Sequence, residues 1–428
     1  MSGPLSGIRV VDFSRVLAGP LCARTLLDLG AEVIKIEPPR PDVSRFAFPS
    51  TPGMSGYYAQ QNAGKRNVSI DLNVPGAREL ALRLCDTADV VVENFRAGTL
   101  RHFGLDYQTL AARNPRLIYA SITGYGQGGP WQGRMAYAPT VQAEAGFTYN
   151  SLRHYGEALG EPRTDGLSHA DVYAGLQAAV AILAALHRRA ATGTGQYIDV
   201  AMAATLMAVN ERAHVDLNDA EPAILGATDC PFFTGPGGEH FTVATSLVGS
   251  RTFPSWLRAM RRADLADDPR FATAAARRAN FAELHRIVQN WILTFADIGA
   301  LDAQLDEAKI AFGEVRSLKQ LSEMEWAEYW DAVQEVSDRN GGSYRLPGRP
   351  WRFSRERLAP LGEPAYQGEH NRAVFAELGF SDEQIGGYVA SGALVSVSIP
   401  TAVADRRAIA TPQPRPRSSP TSFRELNS

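Results

Sequence analysis

Through the first half of this chain, short apolar runs rich in β-branched residues alternate with helix-period runs. That alternation restricts the fold more than any other feature. Ile8 to Phe13 (IRVVDF) reads as a strand. Gly19 and Pro20 open a helix, with proline in the first turn where its missing N–H costs nothing. The helix from Leu21 to Leu29 stops at Gly30. Val33 to Ile36 (VIKI) is the next strand, ended by Pro38 and Pro39. The pattern repeats as strand 68–72, helix 77–85, strand 89–93, helix 105–113 and strand 117–121. A long alanine- and leucine-rich helix over 171–190 and a strand over 196–200 follow, with one more helix behind. Strands separated by helices predict a parallel sheet covered on both faces. The fold class is α/β, with a Rossmann-like large domain.

From about Leu217 the texture changes. Residues 231–238 (PFFTGPGG) and 241–245 (FTVAT) read as a hairpin arm, and helix-period segments run on to about Trp330. With 428 residues the chain exceeds one ordinary core. These observations predict a large domain over 1–216 and a smaller α+β domain over 217–330. A segment over 331–398 then returns to the large domain and carries two short helices, 373–378 and 382–390. Residues 399–428 are proline-rich and hold no core-forming pattern, which predicts a disordered tail.

Charge and cysteine usage exclude whole classes. The 43 basic and 46 acidic residues give a net charge of -3, which argues against a nucleic-acid or membrane-surface partner. Cys22, Cys85 and Cys230 are odd in number and far apart, so neither a disulfide framework nor a metal site is expected. The start has no signal-peptide pattern, and no run approaches the ~20 apolar residues of a membrane helix. A soluble, cytoplasmic protein is expected.

A β-α-β start invites a dinucleotide-binding reading, but the turn 14–20 (SRVLAGP) lacks the three spaced glycines of that fingerprint. No phosphate-loop motif and no HExxH is present. A different set of segments occurs in order: Leu5–Phe13 (LSGIRVVDF) with Ala18–Pro20, Leu29–Glu37 (LGAEVIKIE), Asn62–Asn67 (NAGKRN), Glu93–Gly98 (ENFRAG) and Asn114–Tyr119 (NPRLIY). Asp171–Gly175 (DVYAG), Ile182–Leu186, Thr192–Gln196 (TGTGQ), Pro347–Pro350 with Phe353 and Ser354, and Gly368–His370 complete it. Together they resemble the class III CoA-transferases, the family of formyl-CoA and carnitine CoA-transferases, to which the α-methylacyl-CoA racemases are related. The likeness spans residue 5 to about 394 and is loose in the small domain.

The resemblance implies that Asp171 is the nucleophile. Read alone, Asp171 follows Ser168 at a helix start, where aspartate is favoured anyway; the two readings are compatible. A carboxylate can attack a thioester and form an anhydride, which splits one exchange into easier covalent steps. The resemblance also assigns Val16, Lys65, Asn94, Phe95, Arg101 and Tyr137 to CoA, with Phe95 stacking on adenine and Lys65 on the phosphates. It calls for an arginine past the second strand, either Arg40 or Arg45. The family's later arginine falls on Arg101 or is lost to His102. Ala138 stands where an acidic residue often follows the tyrosine, and Leu17 replaces a glutamine of formyl-CoA transferases. Leu17, Phe147, Tyr149 and Tyr155 hint at a bulkier, more apolar acyl group. Gly235–Gly238 is a partial echo of a shielding loop.

The implied activity is transfer of CoA from an acyl-CoA to a carboxylic acid through an aspartyl anhydride and an aspartyl-CoA thioester. N–H groups in the turn Val16–Gly19 would stabilise the oxyanion. No permanently bound cofactor or metal is expected, CoA being substrate. The family's assembly is an interlocked homodimer. The alternative is a racemase on the same fold, which needs a base and an acid on opposite faces of the substrate. Tyr137 occupies the racemase histidine position, and a phenol with pKa ~10 is a poor base. His169, near Asp171, is the residue that would reopen that reading.

Overall fold

A computed structural model describes residues 3–155, 161, 166–220 and 230–397. The predicted tail and the Tyr155 side chain lie outside the described residues. Six parallel strands form the central sheet: β1 (Arg9–Asp12), β2 (Glu32–Glu37), β3 (Arg66–Ser69), β4 (Val90–Glu93), β5 (Ile118–Thr123) and β6 (Gln196–Ala201). Their order is β3-β2-β1-β4-β5-β6. Val10 sits level with Val33 on one side and Val90 on the other. That order reverses direction between β1 and β4, and in open α/β sheets ligands bind in the crevice beyond the strand ends at such a point.

Valine and isoleucine fill the strand interiors, as a sheet buried on both faces requires. Polar residues stand there too, and Asp12, Lys35, Glu37, Asn67 and Glu93 are buried while Asp199 in β6 is exposed; a buried charge needs a partner. Helices α1 (Ala18–Asp28) and α3 (His169–Thr192) cover one face, with α2 (Ala138–Glu144) beside them. Leu26, Val92, Ile118, Ala174, Ala178 and Ile182 share one core there. On the opposite face Leu80, Leu84, Leu110 and Phe375 pack against Val11, Ile34 and Val91. A third core draws only on residues 233–310, around Phe233, Phe241, Trp256, Phe271 and Leu284. The expected hairpin is present (Phe232–Thr234 with His240–Val243), and Phe312–Glu314 adds an antiparallel strand that the sequence did not announce.

Three expectations need correction. The strand placed at 68–72 begins and ends earlier, because Asn67 and Ser69 are tied to the C-terminal segment. Helices Gly56–Asn62, α2 and Phe147–Tyr155 and the hairpin Val333–Ser337/Ser343–Pro347 were not foreseen; each is short and mixed in polarity. Helix α3 is long and apolar enough to cross a bilayer, contrary to the reading that no run approached that length. Here Ala174, Ala178, Ile182 and Ala185 on it are buried within the core.

Candidate active site

The C-terminal ends of β1 and β4 open into a cavity of about 520 Å³. Its wall includes Arg15, Val16, Leu17 and Ala18 after β1, Asn94 to Ala97 after β4, Tyr137 and Ala138 at the start of α2, and Ser168 and Asp171 at the start of α3. Helix starts and strand ends thus meet at the switch point. Asp171 lies in the first turn of α3. Burial pushes its carboxyl up from 3.8 to about 6, against the pull of the Ala18 and Asp171 backbone N–H groups. The carboxylate therefore faces the N-terminal ends of two helices, α1 and its own. Tyr57 stands near; burial and then the charge of Asp171 push its phenol up.

Two glycines permit close approaches here, Gly175 that of α3 to α1 and Gly19 that of α1 to the turn after β1. A Cβ on Gly175 would sit 2.5 Å from the Ala18 carbonyl oxygen, and one on Gly19 2.1 Å from Ser14 Cβ. The turn 14–16 is held by side chains on three consecutive N–H groups. Asp12 accepts from Ser14 N–H at 2.9 Å and Asn94 Oδ1 from Arg15 N–H at 2.8 Å. Asp42 accepts from Val16 N–H at 3.2 and 3.0 Å. Asn94 Nδ2 also donates to the Arg15 carbonyl at 2.8 Å. Val16 has φ +65°, left-handed for a β-branched residue, a strain of order 1–3 kcal/mol that the surroundings must override.

Several assignments change on this geometry. Lys65 points into the protein interior. It is 2% exposed, and its three N–H bonds go to Asp12 (2.9 Å), the Pro20 carbonyl (3.0 Å) and Asn62 (2.9 Å). Burial pulls its ammonium down to about 8. The Val16 N–H is spent on Asp42 and is no oxyanion donor; Leu17 and Gly19 N–H groups make no hydrogen bond among the described residues. Arg45 is buried, gripping Glu37 at 2.6 Å and stacking 3.8 Å from the Tyr58 ring. Arg40 is exposed and lines a small cleft with Arg15 and Phe95, so the geometry singles it out for solvent-borne charge. Arg101 lines a second cavity of about 540 Å³ that shares Arg96, Ala97 and Gln132 with the first. His102 lines neither and packs edge-on to Phe103. Phe95 is half-buried and borders both the main cavity and the cleft. Tyr137 lines the main cavity and is exposed.

His169 does not line that cavity; its ring stacks on Tyr173 at 5.7 Å and tilts against Phe147 at 5.5 Å. Leu17 borders the cavity with Val43, Met135 and Met202, while Phe147 and Tyr149 do not. Sequence reasoning missed Asp12, Lys35, Asp42 and Glu93. Burial pushes the Glu93 carboxyl up to about 7, while Ser121 and the Phe95 N–H hold it down. For Asp12, Lys35 and Glu93 the signal available was a charged residue within an otherwise apolar parallel strand; Asp42, which caps the turn Val43–Phe46, carried none. Among the described residues no three His, Cys, Asp or Glu side chains gather to hold a metal ion.

The fold and the switch-point crevice lined by a carboxylate define an α/β protein with a ligand-sized site, and the chain belongs to CoA-transferase family III, whose model matches residues 5–371. It is similar to the succinate–glutarate CoA-transferase of Agrobacterium fabrum, 35% identical over 74% of this chain and 81% of that one. The succinyl-CoA:mesaconate CoA-transferase of Haloarcula hispanica is 31% identical over 88% and 97%. A crystal structure of a CAIB/BAIF family protein from Brucella suis superimposes with a TM-score of 0.76 at 32% identity, covering 88% of this chain and all (100%) of that one. The protein is a CoA-transferase.

Proposed function

We propose that transfer runs through covalent intermediates on Asp171. Its carboxylate oxygen attacks the thioester carbon; the C–S bond breaks and CoA leaves as thiolate, giving a mixed anhydride. The thiolate then attacks the aspartyl carbon, the anhydride C–O bond breaks, and the donor acid departs as carboxylate. The acceptor carboxylate attacks the aspartyl-CoA thioester and expels the thiolate. That thiolate attacks the acceptor acyl carbon and frees Asp171. No net proton or electron is consumed. The observation that carries this reading is a half-buried carboxylate, made more basic by burial, at the floor of the switch-point cavity. Arg15 and Arg96 line the cavity and Arg40 the cleft beside it; all three are exposed and suit the CoA phosphates.

The apolar contributions of Leu17, Val43, Met135 and Met202 favour an acyl group larger than formyl. The named relatives act on C4–C5 dicarboxylates, which makes succinyl-CoA the first donor to assay. A two-chain assembly belongs to this reading, since Leu176, Val180, Trp326 and Tyr329 stand exposed as a partner would cover them. The racemase alternative is disfavoured by the stacking of His169 away from the cavity. Asp171→Ala should fold and bind CoA yet lose nearly all transfer, and hydroxylamine added during turnover should convert Asp171 to a hydroxamate found by mass spectrometry. Near-normal turnover by Asp171→Ala would sink the covalent scheme. Rapid α-deuterium uptake by a 2-methylacyl-CoA without an acceptor acid would favour the racemase.

A further inference from the structure

Beneath the Val16 turn lies a cluster of buried charges that the transfer scheme does not use. Asp42 is 3% exposed and Lys35 fully buried. Lys35 Nζ donates to the Ser14 carbonyl at 2.6 Å and pairs with Asp42 Oδ2 at 3.3 Å. The Asp42 N–H donates to Glu37 at 2.9 Å, and Glu37 is gripped by Arg45, itself bonded to Tyr58 at 2.6 Å. Asp12, paired with Lys65, takes both the N–H and the hydroxyl of Ser14. A charged assembly of this kind is expensive to bury unless it holds a geometry that apolar packing would not. The geometry on top of it is the left-handed Val16, two residues before the N–H that bears on Asp171.

We infer that Asp42 is a positioning residue for transfer: its carboxylate holds the Val16 N–H, fixes the left-handed turn and so sets the Ala18 N–H against the nucleophilic carboxylate. The inference rests on Asp171 being the nucleophile. Charged groups facing Asp42 are Lys35, Glu37 and Arg45, with Asp12 and Lys65 behind them. Of these, Lys35 stays protonated: burial opposes its charge, but Asp12, Asp42 and Glu37 hold the ammonium above its ordinary range. Without Asp42 a valine relaxes toward the extended region, the helix start moves, and the carboxylate loses a donor. Nothing in this chain of effects involves contact between Asp42 and substrate.

The test uses the full-length enzyme with Asp42→Ala, Asp42→Asn and Val16→Gly, alone and combined. Asp42→Ala should lower kcat roughly ten- to a hundredfold, as a small misplacement of reacting groups does, with the KM for acyl-CoA little changed. The acidic limb of its pH–rate profile should move up relative to that of the wild type measured alongside, because a carboxylate that loses an N–H donor is harder to ionise. Adding Val16→Gly should recover most of the loss, since glycine takes the turn unaided. Should Asp42→Ala fail to fold, Asp42→Asn keeps the size and one weaker, neutral acceptor for the Val16 N–H, and its limb should move up by less. A wild-type limb in the folded variant, or no recovery with glycine, overturns the positioning role. An active Asp171→Ala overturns the nucleophile instead, so the two failures are distinguishable.

Discussion

Replacing Asp171, the proposed nucleophile, by its neutral isostere should make this protein more stable at neutral pH. The Asp171 carboxyl rises from 3.8 to about 6 on folding, with burial as the main cause. At 1.36 kcal/mol per pKa unit, the ionised group costs the folded state about 3 kcal/mol above pH 6. Because the folded-state pKa is the higher one, stability from this group is fully present below 3.8 and is lost as pH climbs through about 6. Asparagine carries no charge, so Asp171→Asn should escape the loss, with about 3 kcal/mol as the ceiling since the amide still occupies a polar site. For a chain of this size that corresponds to a Tm higher by roughly 2–4 °C. Calorimetric scans of wild type and variant without ligand, in half-unit steps from pH 4 to 8, would read it. The difference should be near zero at pH 4, grow between pH 4 and 6, and level off above. Parallel curves, or a variant less stable at pH 7.5, would refute the claim that burial strains this carboxylate.

Four further outcomes follow from the packing. Arg40→Ala should weaken CoA binding by calorimetry about three- to tenfold, less at high salt, with Tm unchanged. Arg45→Ala should instead cost about 3–5 kcal/mol by stranding Glu37, with affinity per folded molecule unaltered; the opposite pattern would reverse the two assignments. Gly175→Ala drives a Cβ against the Ala18 carbonyl and should lose about 1–3 kcal/mol together with activity. The exposed Gly386→Ala, where nothing lies within 4 Å, should be neutral or gain about 0.5–1 kcal/mol.

The strand–helix alternation was legible because it depends on period and on glycine and proline punctuation, both local. The place of Asp171 at a helix start was legible from Ser168 and the alanine-rich run behind it. Lys65 was not, because a lysine reads the same whether it faces water or an aspartate on another strand; only the placement of Asp12 distinguishes them. Arg40 and Arg45 are five residues apart with the same chemistry, and Glu37 and Tyr58 decide which is buried. Nothing about a valine announces a left-handed φ, so the state of Val16 had to come from the fold. Lys35 and Asp12 did carry a signal, a charge inside a valine- and isoleucine-rich strand.

The manner in which β3 is finished bears on synthesis. It is the outermost strand of the sheet, and its cover arrives about 300 residues later in the chain. Ser69 N–H donates to Asn371, the Ser69 carbonyl accepts from Val395 N–H, and Ile70 bridges Leu394 in antiparallel fashion. At ~5–20 residues per second, that edge stays open for roughly 15–60 s on the ribosome. A nascent chain stalled before residue 371 carries an uncapped edge strand, the kind of surface that recruits other chains. Loss of the last thirty or so described residues should therefore show first as aggregation during expression, well before any defect in the catalytic pocket could be measured.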